Sequence, residues 1–146
     1  MAVTFQTYNA FMGNLGNGNI DLDSDTFKAA LTNAAPTPAT DDELADVTQI
    51  ANGFGYVTGG VALTAITWTE VTPGVWEFTS ADFEWEAAGG SVGPFRYVPI
   101  YSDTSTGDKL VGWFDFGSAL TIPDGSFFRV EIGANGIIRW GIGTIS

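Results

Sequence analysis

The chain of 146 residues contains no cysteine and no histidine. Without cysteine there is no disulfide and no thiolate nucleophile. Without histidine there is no imidazole base near neutral pH, and no Ser–His triad can be built. Zinc sites draw mostly on those two residue types, so structural or catalytic zinc is not expected. Basic residues are few: Lys28, Arg96, Lys109, Arg129 and Arg139 stand against 17 Asp and Glu, for a formal net charge of −12. Nucleic-acid affinity comes mainly from Lys and Arg neutralising phosphates, so neither nucleic acid nor an anionic membrane is an expected partner. The acidity serves solubility, or an outer surface that must not stick to nucleic acid or to its neighbours. No apolar run is long enough to span a bilayer, and the first residues lack the basic-then-apolar pattern of a signal peptide.

What is present is a core. Hydrophobic residues make up 45% and aromatics 14%, with 11 Phe and 5 Trp, which excludes a disordered chain. The length fits one domain, residues 1–146, with enough volume for a hydrophobic core. Within it, residues 1–50 read as an N-terminal arm or helix, a strand and a loop, and residues 51–146 as the main antiparallel β region.

Near the start, Phe5, Tyr8, Phe11, Met12 and Leu15 have the spacing of one face of a short helix, which Gly13, Gly16 and Gly18 weaken and end. "DTFKAALT" is bounded by turns and reads as a strand in preference to a short helix. "NAAPTPATDDELADV" is a loop, and Thr40 with Glu43 has capping-box spacing for a helical turn or two. From residue 56 the text is β. "VALTAITW" alternates; Pro73-Gly74 marks a hairpin; Phe83 and Trp85 alternate with Asp82, Glu84 and Glu86 as in a strand with one wet face. "PFRYVPIYSD" is a strand placed at an edge or carrying a bulge, because Pro99 lacks a ladder donor. "LVGWFDFG" and "FFRVEI" are further strands, and Asn135-Gly136 signals a hairpin onto "IIRWGI". About seven or eight short strands at this spacing predict an all-β fold, a β-sandwich or jelly-roll-like antiparallel domain with a short N-terminal helical or arm segment.

Several stretches invite a chemical reading and resist it. "NGFGYVTGG" (52–60) is rich in glycine, but Thr58 stands where a dinucleotide fingerprint needs its third glycine, and a strand follows in place of a helix. Its glycines are expected to serve a bend and a close backbone approach. Asp21, Asp23 and Asp25 begin like an EF-hand loop, but Thr26 and Thr32 occupy the positions of its glycine and its last glutamate. A calcium site of looser design stays open beside a plain polar turn. Glu84 and Glu86, or Asp82 and Glu84, lie about 7 Å apart along one strand and read as a solvated face, not as acid and base across a cleft. A Ser–Lys pair would have to use Lys28 or Lys109, both expected at the surface. Trp68, Trp76, Trp113 and Trp140 are either core or platforms for sugar rings. No catalytic residue, no metal ligand and no cofactor is expected, and the protein reads as a non-enzyme.

Across most of the chain the order of phrases resembles a loosely described family of small virion proteins from tailed bacteriophages. The resemblance rests on "YNAFMGNLGNGNIDLDSDTFKAALTN", "ELADVTQIANGFGYVTGGVALT", "RYVPIYSD", "LVGWFDFGS" and a closing "GANGIIRW". It implies a capsid decoration or cement protein that binds the outside of the major capsid shell and stabilises it, located on the capsid exterior of the virion. Its partners would be the major capsid protein and further copies of itself, with a trimer favoured. A neck, tail or fibre-associated virion component is one alternative, and a carbohydrate-binding β-sandwich module another. On the first reading Phe5, Tyr8 and Phe11 are the candidate capsid or oligomer interface, because aromatics in a glycine-rich N-terminal segment fit poorly into a sheet. Their other reading is a helix packed on the sandwich. If they are the interface, removing residues 1–18 abolishes capsid binding and leaves the β region folded.

Overall fold

The computed structural model describes residues 3–141. In chain order the elements are β1 (Thr4–Thr7), α1 (Asn9–Gly16), β2 (Phe27–Ala29), a 3₁₀ turn (Leu44–Asp46), β3 (Val61–Ala62), β4 (Thr67–Thr72), β5 (Val75–Thr79), β6 (Phe83–Glu86), β7 (Val92–Ser102), β8 (Leu110–Ile122), β9 (Phe127–Val130) and β10 (Ile138–Gly141). All pairings between these strands are antiparallel. They form a five-stranded sheet of order β1-β8-β7-β2-β3, a three-stranded sheet β10-β5-β4 and a two-stranded sheet β6-β9. The domain is all-β and sandwich-like with one short N-terminal helix, as the alternation predicts.

The long β7–β8 hairpin is the centre. Along β7, Val98 and Ile100 point into the main core, and Tyr97 and Tyr101 into a second cluster on the opposite face. The main core joins all three sheets: Phe27 and Phe114 from the largest meet Phe78 from the three-stranded sheet and Trp85 from the two-stranded one. The second cluster holds Tyr8, Tyr97, Tyr101, Leu110 and Trp113, with Leu44 and Val47 packed over it. A bulge sets this division. Tyr101 pairs with Leu110 but Ile100 with Gly112, so Val111 is an extra residue on β8. Leu110 and Trp113, three apart, therefore share one cluster, while Val111 and Phe114 share the other.

Pro99 is not on an edge strand: β7 lies inside the sheet between β8 and β2. The bulge expected of it is present, between Ile100 and Tyr101. Its carbonyl accepts the Ala30 N–H at 3.0 Å, just past the end of β2 at Ala29, and its missing donor leaves a single gap before Thr32 and Tyr97 exchange hydrogen bonds of 3.1 and 2.9 Å. Asn135-Gly136 does turn the chain, with Gly136 at φ 69°, but it joins no hairpin. β9 pairs with β6 and β10 with β5. Ile137 N–H donates to Phe78 O at 2.8 Å, and Arg139 pairs with its register partner Glu77, which draws β10 onto the three-stranded sheet. "VALTAITW" is likewise two strands, broken at Ala65 (φ 51°) and shared between two sheets. The Pro73-Gly74 hairpin, the β2 strand and the wet-faced β6 strand form as predicted.

The N-terminal segment is not a detached arm. β1 extends the large sheet alongside β8, with Phe5 opposite Phe114. The helix starts only at Asn9 and buries Phe11, while Met12 is 59% exposed. The later helical turn is capped three residues beyond the expected Thr40, by a reciprocal box of Glu43 and Asp46.

The glycines of residues 52–60 make a bend and a close approach. Gly53 and Tyr56 exchange backbone hydrogen bonds of 2.9 and 3.1 Å. A Cβ on Gly60 (φ 78°) would stand 1.7 Å from Ala29 O, and one on Gly55 (φ 116°) 1.9 Å from Glu86 O. The loop between Thr32 and Ile50 is pinned across the second cluster by Lys109, whose Nζ lies 2.6 Å from Asp42 Oδ2 and 2.9 Å from Glu43 Oε1. Asn14 Nδ2 donates to the other Asp42 oxygen at 2.7 Å. The Lys109 ammonium, ahead of Asn14, holds the Asp42 carboxyl below its usual range, and the two carboxylates hold Lys109 above its own.

Two outcomes follow. Gly60→Ala is expected to lose about 3–5 kcal/mol, against about 1–2 kcal/mol for Gly18→Ala, where φ is also positive but nothing lies within 4 Å; chemical denaturation of both variants measures the gap. A carboxyl with a depressed folded pKa stabilises above the ordinary carboxylate pKa, and that contribution is lost as pH falls through the folded value. Lys109→Met is therefore expected to cost about 1 kcal/mol at neutral pH and to lose less further stability than the parent below about pH 4, read from melting temperatures across an acid series.

Candidate functional site: an indole edge bordered by carboxylates

Each of the five basic side chains lies in an ion pair with carboxylates of the same chain: Lys28 with Asp103, Arg96 with Asp115, Lys109 with Asp42 and Glu43, Arg129 with Glu84, and Arg139 with Glu77. Lys109 is not a surface residue as expected, since its side chain is only 16% exposed. Lys109 is held by two carboxylates, and Lys28 stands 3.8 Å from Asp103. Glu84 is taken by Arg129 across the β6–β9 register, and Asp82 Oδ1 accepts the Ile132 N–H at 2.8 Å. In the "DLDSDT" turn, Asp21 Oδ1 accepts the N–H groups of Asp23 (2.9 Å) and Ser24 (3.3 Å). Asp25 Oδ2 accepts from Asp21 N–H and Ser102 Oγ. Hydrogen bonds, first from the Ser24 side chain, hold the Asp21 carboxyl below its usual range. These carboxylates cap a polar turn.

The candidate interface residues Phe5, Tyr8 and Phe11 turn inward. Phe11 is fully buried and stacks on Trp140 at 5.9 Å, Tyr8 is 1% exposed against Trp113 at 4.8 Å, and Phe5 is half-buried against Phe114 at 4.8 Å. Burial pushes the Tyr8 phenol far above its usual range, with Asp41 adding to the effect. Tyr8 and Phe11 supply core to both clusters, so removal of residues 1–18 is expected to destabilise the β region as well. Pattern misled here because a glycine-rich segment with aromatics looks unanchored until its partners Trp113 and Trp140, more than 100 residues away, are known.

Of the four tryptophans singled out, Trp113 is core. The other three gather on one edge. Trp140 and Trp76 are direct partners across β10 and β5, and Trp68 lies 5.4 Å from Trp76 and 5.6 Å from Trp140 between ring centroids. They continue the face that carries Phe78 and Ile138 into the core, but extend past it. Trp76 is 39% exposed, and Trp68 and Trp140 are half-buried. Exposed Glu70 is the register partner of Trp76 and shares its face. Beyond Trp68 a groove of about 410 Å³ is lined by Leu15, Ile20, Leu22 and the exposed Asp21 and Asp23. Strand pairing is the signal that assembles this edge, and single-strand alternation carries none of it.

Comparison of the chain with protein-family models, with curated proteins and with solved structures returns no significant match. The division between core and edge is directly measurable. Phe11→Ala is expected to cost about 3–5 kcal/mol, as a buried aromatic does, and Trp76→Ala about 1 kcal/mol or less, both read by denaturant titration.

Proposed function

We propose that this protein is a structural virion component of a tailed bacteriophage, a decoration or cement protein that binds the outside of the major capsid shell as a homo-oligomer, with a trimer favoured. Two things support the reading. The order of sequence phrases resembles small virion proteins of that kind. The observation that carries it is the layout of charge: all five Lys and Arg side chains lie in internal ion pairs, and most of the remaining carboxylates are exposed on a chain of net charge −12. Such a surface repels DNA and relies for adhesion on exposed apolar side chains. Those are available at Met12, Phe54, Val57, Trp76 and Phe127. A neck, tail or fibre-base part would use the same chemistry at much lower copy number. Cryo-electron microscopy of purified virions separates the two. Copies distributed over the outer shell are the expected result; copies confined to a portal or tail vertex, or absence from the particle, would overturn the decoration reading.

A further inference from the structure

We propose that the indole edge is a docking site for a basic segment of a partner protein, with an Arg or Lys side chain seated on Trp76 and Trp68. The argument is charge complementarity. Indole is the strongest aromatic partner for a cation because of the negative potential over its face. Three indoles are grouped here: Trp68 lies 5.4 Å from Trp76 and 5.6 Å from Trp140, and Trp76 and Trp140 are register partners. Exposed Glu70 flanks Trp76, and exposed Asp21 and Asp23 line the groove beside Trp68. Among the described residues no Lys or Arg competes for the position. Residues 9–25 contain no Lys or Arg, and the one basic residue in β4, β5 and β10 is Arg139. Arg139 alternates with Trp140 and so lies on the opposite face of its strand, paired with Glu77. The edge therefore has aromatic faces and acceptors, and its missing counterpart is a positive charge on a long apolar stem.

The inference rests on the shell-binding reading for where the partner resides, and on this chain alone for the chemistry. The test is a tryptophan-fluorescence titration of the full chain at low salt with a short blocked peptide carrying two arginines between glycines. A matched peptide with citrulline, which keeps the shape and loses the charge, is the control. The arginine peptide is expected to give a saturable change that weakens as salt rises, and the citrulline peptide none. Trp76→Ala and Glu70→Gln, both at exposed positions, are each expected to weaken binding about three- to thirtyfold, with melting curves confirming that the variants fold. Three results would overturn the proposal: no saturable change with the arginine peptide, equal binding of the citrulline peptide, or binding unmoved by both substitutions. Saturable binding of a neutral hexasaccharide in place of the arginine peptide would also overturn it and assign the edge to glycans. The titration needs no virion, so its outcome is independent of the particle count that tests the shell-binding reading.

Discussion

Near its turn, at residues 97–102 and 110–114, the β7–β8 hairpin is buried on both faces, and a strand pair of that kind must be covered twice. On one side the cover is regular structure, since β4–β5–β10 and β6–β9 bring Phe78, Ile138, Trp85 and Val130 against it. On the other side it is a loop with a single 3₁₀ turn, which lays Leu44 and Val47 over Tyr97, Tyr101 and Trp113. Each buried large side chain is worth about 1.5–3 kcal/mol when water is kept off it, so the loop has to stay in place without a ladder of its own. Polar groups hold it there. Lys109 reaches two of its carboxylates, Asn14 reaches one of them from the helix, and Thr32 Oγ1 donates to Thr48 O.

The scarcity of cations acquires a structural meaning from this arrangement. Arg129 faces Glu84 across β9 and β6, and Arg139 faces Glu77 across β10 and β5, each at its exact register partner. Exposed pairs add little energy, but a slipped register would set like charges or apolar rings against them. Arg96 and Asp115 join β7 to β8, and Lys28 and Asp103 join β2 to the turn after β7. Every Lys and Arg side chain is thus paired inside the chain. The surplus of carboxylates is what a partner meets first, and at moderate salt its field reaches about 8–10 Å.

Alternation was readable in the sequence wherever one face of a strand is wet. Phe83 and Trp85 go in and Glu84 and Glu86 stay out, as their order predicts. Along β8 the order of Phe114 and Phe116 against Trp113 and Asp115 also marks the two faces, but near the turn, at residues 97–102 and 110–114, two dry faces leave little polarity to mark the period. There Pro99 signals an edge or a bulge, and the strand lies in mid-sheet and carries the bulge. Turn chemistry marked bends correctly and their partners poorly. Pro73-Gly74 closes a hairpin, whereas Asn135-Gly136 hands the chain from one sheet to another. The difference lies in Glu77 and Phe78, 57 to 59 positions earlier in the chain, which no local signal reports. The candidate site shows the same limit. Tryptophan content marked an aromatic surface as possible, but only register separates Trp113, which is core, from Trp76, which is edge.

The indole edge is also a product of the core, which bears on how it can bind. Trp140 stacks on buried Phe11, and Trp68 meets Trp140 edge-on at 79°, so two of the three rings are held by packing that the fold requires in any case. Trp76 extends that row by one ring into solvent. A platform whose rings are already fixed loses little conformational freedom when something settles on it, and ordering of side chains is one of the larger costs of association. The exposed apolar loop residues Phe54 and Val57 have no comparable row of stacked rings beneath them, so the same area of contact there would have to order its own side chains first. The surface best prepared for recognition is therefore the one in which a sheet outruns the core it covers.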